Sequence, residues 1–173
     1  KMEGNKVIIT KGLGDDRVVT TYERNYLPGN KWEEIKTIKG INDTEPTSSV
    51  RTVKQSTGGG WLTLSETKGY GTSLAQTTTY TYNSQYRVSL ELKPNGGYTQ
   101  YEYDSMGRVV MEASPWTAGE FLKVIRTTYA DLRFNDYRPS QVRVVLKSKS
   151  GQETEVKRTE YAYVDSPQVN RKT

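Results

Sequence analysis

The sequence predicts an all-β protein made of antiparallel strands joined by tight turns. Three observations lead to this prediction. Thr, Tyr and Val, which favour strands, are abundant. Apolar and polar residues alternate with the two-residue period of a strand. A stretch of about 10 residues also occurs twice, first near residue 80 and again near residue 101.

The composition indicates a thin sheet with little aliphatic core. Only 33% of the 173 residues are apolar, and 13 tyrosines outnumber 3 tryptophans and 2 phenylalanines. A tyrosine packs its ring while its hydroxyl stays hydrated or hydrogen-bonded. The aromatic residues therefore suit a single layer or a lined surface better than a thick core.

Several function classes become improbable from composition alone. The chain has no cysteine and no histidine, which removes disulfides, thiolate metal sites, the commonest zinc ligand and the commonest general base. We therefore expect no metal, no cofactor and no catalytic residue. The net charge is +5, with both signs alternating along the chain. No run of about 18 apolar residues occurs, so we expect no membrane insertion. The start "KMEGNKVIIT" lacks the apolar centre of a signal peptide and suggests an excised fragment, with any targeting signal outside it.

The repeat becomes clear when "YTYNSQYRVSL", residues 80–90, is aligned with "YEYDSMGRVV", residues 101–110, at an offset of 21. The principal matches are Tyr80 with Tyr101, Tyr82 with Tyr103, Asn83 with Asp104, Arg87 with Arg108, Val88 with Val109, and Pro94 with Pro115. A period near 20 residues is typical of repeat architectures, in which each unit packs against its neighbours.

Each unit is predicted to be a strand, a tight turn and a second strand. The side chains expected to share a strand face are Thr78, Tyr80 and Tyr82; Val88, Leu90 and Leu92; and Val109, Met111 and Ala113. In the turn, the Asp104 carboxylate should accept backbone N–H groups, and Gly107 should adopt a positive φ. Tyr86 replaces that glycine in the first copy, which predicts a different or slightly strained turn.

Less regular strand–turn–strand units flank the clear copies. They cover residues 18–38 around Pro-Gly, 52–68 around three glycines, and a pair of long strands around residues 147–153. Between the two clear units, residues 93–98 are predicted to be a second hairpin turn, around Asn-Gly. Residues 40–50 are predicted to be a loop. Residues 119–134 have some helical spacing, but their β-branched content favours a strand. The stretch "YAYVD", residues 161–165, repeats the Tyr-x-Tyr pattern before an aspartate.

The motif "YEYDSMGRVV" resembles the YD repeat of RHS-repeat proteins, which reads Tyr-x-Tyr-Asp, two residues, Gly-Arg and an apolar strand. Tyr101, Tyr103, Asp104, Gly107 and Arg108 carry the resemblance. The upstream copy keeps Tyr80, Tyr82 and Arg87 but departs at Asn83 and Tyr86. The clearest repeats span residues 77–116.

This family includes bacterial RHS toxins, the B and C components of insecticidal toxin complexes, and animal teneurins. The resemblance implies a twisted β-sheet ribbon that spirals into a hollow shell, which in the toxins holds a C-terminal effector. Residues 1–173 would be a single repeat region of the shell wall with no separate catalytic domain, in a secreted or cell-surface protein. Its partners would be the rest of the parent chain and an encapsulated toxin. The family's self-cleavage motif and an effector domain are not seen in the sequence.

Other interpretations stay open beside this one. The tyrosines could stack on sugars in a carbohydrate-binding or adhesion module, although a packing ladder between strands is preferred. Arg87, Arg108, Asp104 and Asn83 could form a polar binding site, although turn stabilisation is preferred.

Nucleic-acid binding and catalysis are disfavoured. Basic residues in 138–150 and 155–161 are interspersed with Glu153, Glu155 and Glu160, which indicates a solvated strand face. Adjacent carboxylates such as Asp15 and Asp16, or Glu33 and Glu34, would point to opposite faces of a strand. We expect self-association through open sheet edges.

Overall fold

The computed structural model describes residues 2–3, 5–117, 119–129 and 138–163. It is all-β and antiparallel, as predicted, and its described helical content is one 3-10 turn at Gly14–Asp16. The chain forms two compact units, Lys1–Tyr98 and Thr99–Thr173. Within the described residues, no helix has the length and apolar character needed to cross a membrane.

The strands of the first unit follow one another as an antiparallel meander. They are β1 Met2–Glu3, β2 Lys6–Lys11, β3 Val18–Leu27, β4 Lys31–Gly40, β5 Ser48–Thr57, β6 Gly60–Lys68, β7 Gln76–Tyr82 and β8 Val88–Leu92. Each strand pairs with the next one in the sequence. This order is the predicted succession of strand and turn, because short connections place sequential strands side by side.

The second unit has the same kind of meander. Its strands are β9 Tyr98–Tyr103, which begins at the last residue of the first unit, β10 Val109–Trp116, β11 Phe121–Tyr129, β12 Pro139–Ser148 and β13 Glu153–Glu160. Successive strands again pair antiparallel. The strand preferred over a helix within 119–134 is confirmed for the residues of β11. Residues 130–134, like Val164 and Asp165 of the "YAYVD" stretch, lie outside the described residues.

Two predictions of local structure were wrong. The loop predicted for residues 40–50 is too long, because Ser48, Ser49 and Val50 already pair with β4 at the start of β5. Asp15 and Asp16 lie in the 3-10 turn, where the side-chain alternation of a strand does not apply.

The alternation predicted for β7 is confirmed, because Thr78, Tyr80 and Tyr82 are half-buried while the threonines between them are exposed. The residues of β8 that lie opposite the tyrosines of β7 are not all apolar. Tyr80 lies opposite Glu91, and Leu90 and Leu92 lie opposite exposed threonines of β7. A register shift after Thr81 then brings Tyr82 opposite Val88. The tyrosine side of β7 therefore faces charged as well as apolar partners.

The aliphatic core of the second unit is a single row across three strands. Ala113 of β10, Val124 of β11 and Val145 of β12 lie directly opposite one another and are buried, with Met111 and Leu122 packed against them. Burying one such valine contributes about 1.5–3 kcal/mol. Among the described residues of the first unit, the buried hydrophobic residue is Trp32 of β4.

Candidate functional site

The YD motif forms a closed five-residue turn between β9 and β10. The Asp104 N–H donates to the Arg108 carbonyl and the Gly107 N–H donates to the Asp104 carbonyl, both at 3.0 Å. Asp104 Oδ1 accepts the N–H groups of Met106 at 3.0 Å and Arg108 at 2.9 Å. Gly107 has φ +83°, as predicted. This is a tight turn followed by a left-handed residue, and the carboxylate satisfies the N–H groups inside it.

The upstream copy forms the same turn. Asn83 N–H donates to the Arg87 carbonyl at 2.9 Å, and Tyr86 N–H donates to the Asn83 carbonyl at 3.0 Å. Asn83 Oδ1 accepts the N–H groups of Gln85 and Arg87 at 3.0 Å. The hydrogen-bond pattern of the two turns is therefore the same. The strain predicted for the first turn is present, because Tyr86 takes the place of the glycine with φ +60°.

Two further turns share this backbone pattern. Lys93 exchanges hydrogen bonds with Gly97 and Gly96, and Ser148 does so with Gln152 and Gly151. The left-handed residue is Gly96 at φ +78° in one turn and Gly151 at φ +88° in the other. The turn geometry of the YD motif thus also occurs in two hairpins that lack its Tyr-x-Tyr-Asp sequence.

Arg108 joins the turn to the neighbouring strand β11. Its side chain is 3% exposed, its Nε donates to Asp104 Oδ2 at 2.7 Å, and its guanidinium lies 4.4 Å from the centre of the Tyr129 ring. Burial raises the Asp104 pKa, but hydrogen bonds from the Arg108 backbone and side chain, with its charge, outweigh that effect. The pKa of Asp104 is therefore below its usual value. The ion pair of Asp104 with Arg108 thus lies within one turn.

Tyrosine hydroxyls provide a second recurring contact. Tyr82 donates to the carbonyl of Thr63 at 2.7 Å, Tyr129 to that of Val109 at 3.0 Å, and Tyr163 to that of Pro139 at 2.9 Å. In each case the acceptor lies 19 to 24 residues earlier in the sequence. These bonds tie the end of β7, the end of β11 and the residues that follow β13 to the adjacent strand.

Tyr80 is held in a different environment from these tyrosines. Burial, followed by the charges of Glu91 and Glu66, raises the pKa of its hydroxyl above the usual value. Tyr101 and Tyr103 are half-buried on β9. The predicted ring-to-ring ladder of Tyr80, Tyr82, Tyr101 and Tyr103 stays a prediction.

The first unit also carries an aromatic site that the sequence analysis missed. We call it the Trp32 cluster, and it comprises Arg24, Tyr26, Trp32, Lys54 and Trp61. Strand pairing places Tyr26 opposite Trp32 and Trp32 opposite Lys54, which puts them on one sheet face. The Trp32 and Trp61 ring centres are 5.4 Å apart with the planes at 86°. Arg24 and Lys54 lie 4.8 Å and 5.0 Å from the centre of the Trp32 ring.

Two hollows adjoin the Trp32 cluster. The smaller, of about 120 Å³, is lined by Arg24, Asn25, Tyr26, Trp32 and Trp61. The larger, of about 550 Å³, is lined by residues of the β3–β4 turn together with Ser56 and Trp61. Tyr26 and Trp61 belong to both. The cluster thus offers aromatic surface beside cations and polar groups, as ligand sites do.

Arginine residues in the second unit form a paired charge ladder. Arg126, Arg143 and Arg158 lie opposite one another on β11, β12 and β13. Glu153 accepts from Arg126 at 2.8 Å, and Glu155 accepts from Arg143 at 2.6 Å and from Arg158 at 3.0 Å. The hydrogen bond from Arg158, followed by that from Arg143, holds the pKa of Glu155 below its usual value.

The carboxylates considered for catalysis are separated or already paired. Glu33 binds Arg51 at 2.6 Å, while Glu34, its neighbour on β4, binds Arg24 at 2.8 Å on the opposite face. Across the described ranges, no group of three or more Asp or Glu residues is arranged to hold a metal ion.

Fold and sites together define an antiparallel β-sheet protein of recurrent, self-capped hairpins. Comparison with protein-family models and with curated proteins finds no match for this chain.

Proposed function

We propose that this chain is a non-catalytic structural module, part of the YD-repeat shell wall of a secreted or cell-surface RHS-type protein. In the parent protein the wall would encase or present a toxin or effector domain. The observation that carries this proposal is that the polar atoms of the YD motif are used inside the hairpin. Asp104 binds its own turn and Arg108, and Arg108 is buried against Tyr129.

The upstream copy supports the same role. Asn83 holds its turn by the same two hydrogen bonds, although it has no charge to offer a substrate. The turn forms with aspartate or with asparagine at this position, so its hydrogen bonds depend on the acceptor oxygen and not on ionisation. That requirement is structural.

The ionisation of the tyrosines also supports a role without catalysis. Burial raises the pKa of Tyr80 and of Tyr82, so neither hydroxyl is prepared to lose its proton near neutral pH. The hydroxyl of Tyr82 is already bound to the Thr63 carbonyl. Both features suit packing between strands.

Binding by the other polar residues has less support. The carboxylates of Glu153 and Glu155 neutralise much of the arginine ladder, which disfavours a phosphate backbone as ligand. The partners we propose are accordingly the rest of the parent chain and an enclosed C-terminal toxin.

The parent gene and its product test the proposal. The coding sequence around these residues should contain many more Tyr-x-Tyr-Asp repeats and then a variable C-terminal domain. In the full-length protein, limited proteolysis should leave that domain intact until the repeat region is denatured. A stop codon shortly after Thr173 with few repeats before Lys1, or a C-terminal domain digested as fast as a free one, would refute the wall function.

A further inference from the structure

We propose that the Trp32 cluster is a binding site for an acidic sugar, a pyranose ring that carries a carboxylate. This site uses none of the YD-motif residues and does not depend on the proposed wall function. The inference rests on an unpartnered donor, on exposed aromatic surface and on the local charge.

The unpartnered donor is the indole N–H of Trp32. The residue is only 9% exposed, and its nitrogen is buried without a hydrogen-bond partner anywhere in the described part of the chain. Buried N–H groups in folded proteins almost always have an acceptor. Trp32 lines the smaller hollow beside Tyr26, which is 92% exposed and has room to change its side-chain rotamer. Because that nitrogen is closed off as the side chains stand, a ligand oxygen would reach and satisfy it only after a side chain lining the hollow, such as that of Tyr26, turns aside.

The aromatic surface suits a flat, partly apolar ring. Trp61 is 54% exposed, and it stands edge-to-face against Trp32 as a wall common to both hollows. One side of a pyranose presents mainly C–H groups and its rim presents hydroxyls. Such a ring can stack on Trp61 or Tyr26 while its rim meets the polar lining.

The charge of the cluster favours a carboxylate on that ring. Arg24 is already paired with Glu34 at 2.8 Å. Lys54 lies over the Trp32 ring, and Lys31 lines the larger hollow. With Arg24 and Glu34 cancelling, Lys54 leaves the face of the cluster positive. Lys31, next to Trp32 on β4, belongs to the opposite face and adds its charge only to the larger hollow at the hairpin end. An anionic sugar is therefore a better match than a neutral one.

Titration with two matched sugars tests the inference. Methyl β-glucuronide and methyl β-glucoside differ only at C6, where the first has a carboxylate and the second a hydroxymethyl group. Each sugar is added to ¹⁵N-labelled protein while the three indole N–H signals are followed by NMR. The glucuronide should move the Trp32 signal downfield and bind about threefold more tightly than the glucoside. Added salt should reduce that difference.

Variants locate the binding. Trp61→Ala and Tyr26→Ala should each weaken glucuronide binding about fivefold. Trp116→Ala is the matched control, because Trp116 is 48% exposed and has Lys123 at 5.5 Å from its ring centre, but lies on β10 in the second unit. It should leave binding unchanged. Tyr26→Ala keeps the test valid if circular dichroism shows that Trp61→Ala perturbs the fold.

Four results would overturn the inference. They are a Trp32 signal that does not move at saturating glucuronide, equal affinities for the two sugars, full binding by both cluster variants, and an equal loss in Trp116→Ala. None of them bears on whether the parent protein encloses an effector, so this site and the wall function can fail separately.

Discussion

At the scale of single residues, the left-handed position of the hairpin turn separates the two clear repeats. Gly107 adopts φ +83° without a Cβ, whereas Tyr86 adopts φ +60° with a side chain that is 61% exposed. The left-handed conformation costs an ordinary L-residue about 1–2 kcal/mol. The first turn carries this cost and the second does not.

Exchanging residues at these positions should change stability in opposite directions. Gly107→Val should lower the free energy of unfolding by about 1–2 kcal/mol, because a β-branched residue is strained at that φ. Tyr86→Gly should raise it by up to about 1 kcal/mol, since little packing is lost and glycine's greater freedom in the unfolded chain offsets part of the gain. Urea denaturation measures both. An unchanged midpoint in Gly107→Val would refute this interpretation of the turn.

Asp104→Asn should separate the charge of the motif from its hydrogen bonds. Asparagine can keep the turn, as Asn83 does, but it loses the ion pair with buried Arg108. We expect a loss of about 1–2 kcal/mol at pH 7.

The loss of stability in Asp104→Asn should depend on pH. Because the folded-state pKa of Asp104 is lowered, its contribution is complete above the unfolded pKa of about 4 and disappears as pH falls through the folded value. The stability gap between wild type and variant should therefore shrink below about pH 4. Urea denaturation of both proteins at a series of pH values from 7 to 2 measures this gap. Taking the difference cancels the pH dependence that the other carboxylates give to both proteins. A gap that stays constant would contradict the role given to the ion pair.

At the scale of the elements, the turn between β12 and β13 has the YD backbone with a poorer cap. Ser148 Oγ accepts the Gln152 N–H at 3.1 Å, whereas Asp104 accepts two N–H groups. Ser148→Asp should stabilise this hairpin by about 0.5–1 kcal/mol. Ser150→Asp adds the same charge to the same turn and keeps Ser148 as the cap, although Ser150 Oγ also lies 2.8 Å from Ser148 Oγ. Calorimetry should show a higher melting temperature for Ser148→Asp only, and equal shifts would point to charge alone.

The sequence predicted the positions of the strands and turns better than it predicted which residues pair between adjacent strands. Alternation and turn residues located the strands, because both are local properties of the chain. The register between strands depends on bulges that no local pattern marks. The shift between Val53 and Lys54 is one of these, and it lies in the pairing that places Ser56 opposite Trp61. The Trp32 cluster, drawn from β3, β4, β5 and β6, could therefore not be foreseen.

At the scale of the molecule, the described residues bury few hydrophobic side chains, namely Trp32, Ala113, Val124 and Val145. Three of them belong to the second unit and one to the first. Hydrogen bonds between strands, capped turns and ion pairs must then supply much of the stability of the fold. Such a sheet depends on how its edges are protected.

The last described strand, β13, is protected by charge. Lys157, Arg158 and most other side chains of β13 are exposed, and among the described residues only β12 pairs with it. Charged side chains on an edge discourage pairing with another copy. Lys157→Val should therefore increase self-association, measured by sedimentation velocity across a range of concentrations. Lys36→Val, on β4 between β3 and β5, should not. Equal behaviour of the two variants would exclude the edge as the cause.

The closed turns affect how the backbone amide protons exchange with water. The turns that begin at Asn83, Lys93, Asp104 and Ser148 complete their backbone hydrogen bonds within five residues. A hairpin built in this way can open without undoing the turn of the next one. Amide protons should then exchange in steps, hairpin by hairpin, and most slowly around Ala113, Val124 and Val145, where burial is deepest. Resistance to opening is thus graded along the chain.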